Sequence, residues 1–167
     1  MNKLMSNKAF KPKTFYDLAA YVKDQLLHTI PQELRQAANR TCISRAYYSV
    51  FLAFREMILD LPIRDVNLRK RVERATDAHA IVAESVRRVD SDIGDYIVNL
   101  RKMRNKADYR TNIAITLDYV NYAFDITNEI TDKTTAIVSR LKESDIVSAW
   151  NKIQKEREKM RSSFGVV

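Results

Sequence analysis

Only two glycines and three prolines punctuate 167 residues, and that scarcity constrains the fold more than any other feature of the chain. Tight turns draw on glycine for positive φ and on proline for a fixed φ. A chain with so little of either has few places to reverse, so it must run in few, long helices. The apolar spacing agrees. From Thr14 to Ile30, apolar residues recur at Phe15, Leu18, Ala19, Val22, Leu26 and Ile30, with Thr14 placed to cap the first turn. Pro31 interrupts that pattern and suits the first turn of a second helix running to about Leu59, where its missing N–H costs nothing.

This second helix is the spine of the expected fold. One side carries Ile43, Ala46, Tyr47, Val50, Phe51, Phe54, Met57 and Ile58; the other carries Leu34, Ala37, Thr41, Arg45, Tyr48, Leu52, Arg55 and Leu59. Apolar material on both sides predicts burial on both, against its own chain and against a second copy. Asp60 to Asn67, with Pro62, reads as a loop, followed by a short basic helix ending before Thr76 or Asp77. Asp77 then caps a helix through Val89, and Asp90 or Ser91 caps the next, whose Gly94 lies in the first turn where glycine costs little. Thr111 and Asn112 break the pattern, and Ile113 to Leu141 resumes it as one long helix. Ser144 or Asp145 caps a last helix containing Trp150 and Ile153, before a charge-rich, frayed tail.

No strand pattern and no internal repeat appears, so the expected class is all-α, an antiparallel up-and-down bundle of four to five main helices. The length suits one domain, placed at 14–160 between a flexible basic tail at 1–13 and a flexible tail at 161–167. Charged residues make up 30% of the chain and no window approaches eighteen uninterrupted apolar residues, so no membrane span is expected. The single cysteine, Cys42, sits in an apolar helical pattern; it reads as a small core residue in a reducing, cytoplasmic setting.

Two histidines and one cysteine, with no His-x-x-x-His or Glu-x-x-His pair, do not make a zinc site of the usual kinds, and neither metal nor cofactor is expected. Two glycines leave no phosphate-cradling glycine loop and no Gly-x-Ser-x-Gly elbow. That removes most nucleotide hydrolases and esterases. His28, near the end of the first helix, reads as a capping residue, and His79 reads as a satisfied core histidine.

What remains is charge. The net charge is +8, which favours an anionic partner such as RNA. The excess gathers in the N-terminal tail, in Arg64 to Arg74, in Arg140 to Arg161 and, most densely, in Arg101 to Arg110, where five cations face one acid. In that last stretch Ile93, Tyr96, Ile97, Leu100, Met103 and Ala107 form an apolar stripe, and Arg104 falls on its edge. An arginine half-turned toward a core needs a partner, and Asp108 stands four residues on, where helical side chains meet. Such a pair is more often structural than catalytic.

Three stretches in order, Ser44-Arg45-Ala46-Tyr47-Tyr48-Ser49-Val50-Phe51, Asp77-Ala78-His79 and Leu100 through Tyr109, resemble the HEPN family, the higher eukaryotes and prokaryotes nucleotide-binding helical domains. The similarity covers roughly residues 15–141. It implies a four- or five-helix up-and-down bundle forming a symmetric homodimer, with a cleft where the motif helices of the two copies meet. Many members of that family resemble metal-independent ribonucleases of toxin-antitoxin or defence systems, and carried over here the resemblance makes Arg104 the phosphate-stabilising residue and Asn105 an orienting one. Arg45, Arg101, Lys102, Lys106 and Arg110 would contact RNA phosphates, with Asp108 the structural partner of Arg104. At the family's histidine position stands Tyr109. A phenol titrates near 10 and an imidazole near 6.5, so the usual proton-exchanging group is replaced. Three readings follow: an RNA- or nucleotide-binding domain without turnover; a ribonuclease that uses Tyr109, with His79 of a neighbouring helix in the proton role; and an interaction module for a partner such as a nucleotidyltransferase-type antitoxin.

Overall fold

A computed structural model describes residues 11–74 and 76–164, and among them all regular structure is helical. Seven α-helices follow in order: α1 (Lys13–Tyr21), α2 (Gln32–Asp60), α3 (Val66–Arg74), α4 (Ala78–Val89), α5 (Ser91–Tyr109), α6 (Leu117–Arg140) and α7 (Glu143–Phe164). A single π turn, Val22–Leu26, extends α1. The all-α expectation holds, with more helices than the four to five expected. No helix among the described residues is long and apolar enough to cross a membrane.

α2 is the axis of the core. At 29 residues it is about 43 Å long at 1.5 Å per residue, and it packs against α1, α3, α4, α5 and α6. Its face of Ile43, Ala46, Tyr47, Val50, Phe51, Phe54 and Ile58 is buried. The opposite face differs from the sequence reading: Leu34, Ala37 and Thr41 are exposed, and only from Arg45 onward do its residues become half-buried. The buried apolar side chains of all seven α-helices form one contiguous cluster. Cys42 lies in it, fully buried, with burial pushing its thiol up to about 11.

Several element boundaries differ from the sequence reading. The first helix does not reach Ile30: the Leu27 N–H donates to the Val22 carbonyl at 3.0 Å, widening the last turn, and the chain turns before Pro31. Lys13 opens α1 and is no part of a tail, while Thr14 does not cap it and donates its hydroxyl to the Lys11 carbonyl at 2.7 Å. His28 is exposed in the turn that follows. The basic residues before Lys11 lie outside the described residues.

The long helix assigned to Ile113–Leu141 begins only at Leu117, where the Thr116 hydroxyl accepts the Tyr119 N–H. The preceding segment is pulled against α2 by three polar side chains. Gln36 and Asn39 both donate to the Ile115 carbonyl, Gln36 accepts the Ile115 N–H, and the Arg40 guanidinium donates to the carbonyls of Ala107, Arg110 and Ile113. The bond to Ala107 satisfies a carbonyl that the end of α5 leaves without a helical partner, and the others hold the segment that follows it.

Asp90 caps α5 as expected, accepting the Ile93 N–H at 3.1 Å. Asp77 does not cap α4; its carboxylate, almost fully buried, takes Arg71 of α3 at 3.1 Å and Arg157 of α7. α7 starts at Glu143, and Asp145 caps in reverse by accepting the Lys142 N–H at 2.9 Å. The tail expected to fray is helical through Phe164. Gly94 has a reason beyond its place in a first turn: a Cβ there would stand 2.3 Å from Arg87 Cβ and 2.5 Å from Arg87 Cα. The glycine lets α5 approach the end of α4.

Candidate functional site

Ser44 and Tyr48 are one turn apart on α2, as Arg104 and Asp108 are on α5, so each pair lies on one face of its helix. The structure sets the two pairs opposite each other: Tyr48 accepts from Arg104 Nη2 at 3.0 Å, and Ser44 donates to Asp108 Oδ2 at 3.4 Å. Arg104 Nε lies 2.6 Å from Asp108 Oδ2, but no directed hydrogen bond forms from it, so this contact is Coulombic. Nη1 donates to Asn105 Oδ1 at 3.1 Å. The guanidinium carbon also stands 5.2 Å from the Tyr48 ring centre and 5.1 Å from that of Tyr109.

Arg104 is thus braced on every side, with a side chain only 15% exposed. Burial works against its charge, while Asp108, Tyr48 and Tyr109 favour it, and the balance raises its pKa. A guanidinium carries five N–H donors, so this bracing does not exhaust it.

On the other side of Tyr48 lies His79, half-buried on α4. Its ring is 4.0 Å from that of Phe51 and 5.6 Å from that of Tyr47, and its Nδ1 shares a 2.5 Å hydrogen bond with the Tyr47 hydroxyl. Burial, then the positive charges of Arg101, Arg104 and Arg55, push the imidazole down to about 4. His79 is therefore neutral at physiological pH, with Nδ1 occupied. Tyr47 is fully buried and burial raises its pKa. No hydrogen bond joins His79 to Arg104, Asn105 or Tyr109 among the described residues.

The remaining cations spread along α5. Lys102, Lys106 and Arg110 line an open concavity of about 500 Å³ with Asn105, Tyr109 and Ile113. Arg101, Lys102 and Asn105 also line a second one of about 290 Å³, walled by α4 and by Ile153 and Glu156 of α7. Lys106 sits 4.8 Å over the Tyr119 ring, and Tyr109 is 68% exposed at the rim. Arg101, Lys102, Lys106 and Arg110 form no ion pair among the described residues. Arg45 stands apart, over the rings of Phe15 at 4.7 Å and Tyr48 at 5.7 Å, and reaches the site only through Tyr48.

The structure thus brings together Arg104, Asn105, Asp108 and Tyr109, places His79 one aromatic ring away, and arrays the other cations beside them. Ser44, Tyr48, Phe51 and Arg55 complete the arrangement but were not singled out as site residues from sequence. No local signal marked them as a group: Ser44 and Phe51 are buried and Tyr48 and Arg55 half-buried, and the packing of α2 against its neighbours is what gathers them. No three His, Cys, Asp or Glu side chains converge as a metal site among the described residues.

Fold and site together define an all-helical chain with a braced arginine in a basic, aromatic-lined surface. No family model, no curated protein and no solved structure matches it.

Proposed function

We infer that this chain is an HEPN-like protein that binds RNA through its phosphates, as a homodimer, with Arg104 the central contact. The observation that carries the reading is geometric: Arg104, held by Tyr48 and Asn105, stands beside concavities lined by Arg101, Lys102, Lys106 and Arg110, none of which is paired with an acid among the described residues. Positive charge held in a partly desolvated place acts more strongly on an anion than the same charge in open solvent. The aromatic rings of Tyr48 and Tyr109 on either side of Arg104 suit the faces of nucleobases.

The reversed register of the two helices, residue 44 opposite 108 and 48 opposite 104, supports the antiparallel, HEPN-like arrangement. The exposed Leu18, Tyr21 and Leu34 on α1 and α2 supply apolar surface for a second copy. Binding is favoured over turnover. Proton exchange at a 2′-hydroxyl works best with a group near neutral pH, and His79 is held neutral down to about 4.

The test is RNA binding as a function of salt, with Arg104→Ala beside the wild type, and the same RNA incubated in EDTA. Expected are binding that weakens steeply with salt, a loss of at least tenfold in Arg104→Ala, and no cleavage. Metal-independent cleavage that disappears in Arg104→Ala would make the protein a ribonuclease instead. Salt-insensitive association with a protein partner, and none with RNA, would make it an interaction module.

A further inference from the structure

α7 outruns the body it packs on. Its first half is fixed to α4 by the buried Ile146, Ala149 and Ile153 and by Lys152 on Glu84 at 2.8 Å. From Gln154 to Ser163 every residue is exposed, and the apolar stripe runs on into Met160, 55% exposed. Among the described residues the only tertiary hydrogen bond of that stretch is Arg157 to Asp77.

A stretch of helix this exposed, with one tie to the body, needs its own side-chain pairs to persist. The charged i,i+4 pairs within 154–163 are both like-charged, Lys155 with Lys159 and Arg157 with Arg161, which destabilises a helix, and Lys152, four residues before Glu156, is bound to Glu84 instead. The opposite charges three apart, Lys155 with Glu158, Glu156 with Lys159 and Glu158 with Arg161, do not close into ion pairs in the structure. Yet four cations and two acids between residues 154 and 164 leave a positive rod whose missing partner is negative.

Its position says where that partner runs. Ile153 and Glu156 wall the concavity that also holds Arg101, Lys102 and Asn105, and Lys159, three residues beyond Glu156, falls near the same edge of the helix. We propose that the last three turns of α7 form a cationic arm that lies along the phosphate backbone of an RNA strand held at Arg101 and Arg104. The inference rests on the RNA-binding reading of the Arg104 site.

Lys155→Gln, Lys159→Gln and Arg161→Gln combined remove three charges from exposed positions that touch no other element. The full chain, this triple variant and Arg104→Ala are titrated with one single-stranded RNA across a range of salt. The proposal expects the salt dependence of log K to become shallower by about two in the triple variant, since each phosphate contact on a single strand contributes about 0.7. An unchanged salt slope overturns the arm while leaving the Arg104 site intact. A shallower slope in the triple variant, with Arg104→Ala binding as tightly as wild type, upholds the arm and overturns the Arg104 site. A wild type that binds no RNA at low salt overturns both.

Discussion

His79 is the residue whose chemistry the fold changes most. Its imidazole drops from the usual 6.5 to about 4 because it is buried among rings and faces three guanidiniums. The unfolded chain takes up this proton near 6.5 and the folded one only near 4, so the stability tied to the neutral ring is complete above 6.5 and is lost as pH falls toward 4. The loss is of order 1–2 kcal/mol once screening at a half-buried site is counted. NMR titration of the His79 ring should give a midpoint near 4, and a midpoint near 6.5 would contradict the packing described. His79→Gln should flatten the fall in Tm between pH 6.5 and 4. At this scale Arg104 and Asp108 were legible from their spacing alone. Tyr48, Phe51 and Arg55 were not, because their place in the site follows from the register of α2 against α5, which no local pattern encodes.

Two elements are fixed by features that work at a distance. Replacing Gly94 with alanine would gain about 1 kcal/mol of helix propensity, yet the new methyl would meet backbone atoms of Arg87 that cannot move aside. Overpacking costs about 1–3 kcal/mol, so urea denaturation should find the variant no more stable than wild type and as much as about 2 kcal/mol less. Arg40→Ala would release three carbonyls around the end of α5. We expect a loss of about 1.5–3 kcal/mol, as for hydrogen bonds from a charged donor, and faster amide exchange confined to residues 110–116. Unchanged exchange there would mean the loop is held by Gln36 and Asn39 alone. These ties also explain the boundary errors. Ile113 continues the apolar rhythm of α6, and nothing local announces that Gln36, Asn39 and Arg40, more than seventy residues earlier, draw that segment off the helix. The π turn after α1 is hidden in the same way, since Leu26 keeps the helical spacing. α4 and α5 were legible because their stripes are unbroken, and α5 also because Asp90 is a strong cap.

For the whole molecule, the question is what covers the outer face of α1 and α2. Leu18, Tyr21 and Leu34 are each about half exposed or more, and the proposed homodimer would draw on such apolar surface. Light scattering at micromolar concentration should give twice the chain mass, and Leu34→Glu should return it to that of one chain without lowering Tm. A wild type that stays monomeric would leave the basic site to act alone. That α2 would be the axis, and that the regular structure would be helical, as it is among the described residues, followed from sparse glycine and proline and a two-sided apolar pattern. How far the second side is covered did not follow, because apolar spacing records the presence of a face and not its occupant.

Cys42 gives this protein a built-in clock. It is the only thiol in the chain, it is fully enclosed beneath α1, and its pKa near 11 keeps it unreactive where it sits. A thiol-labelling reagent can reach it only when α1 lifts from α2 or the whole chain opens. The labelling rate in native buffer, compared with that of a free thiol, therefore reads the free energy of that opening with no engineered probe. Any ligand or second copy that clamps α1 onto α2 should announce itself by slowing that one reaction.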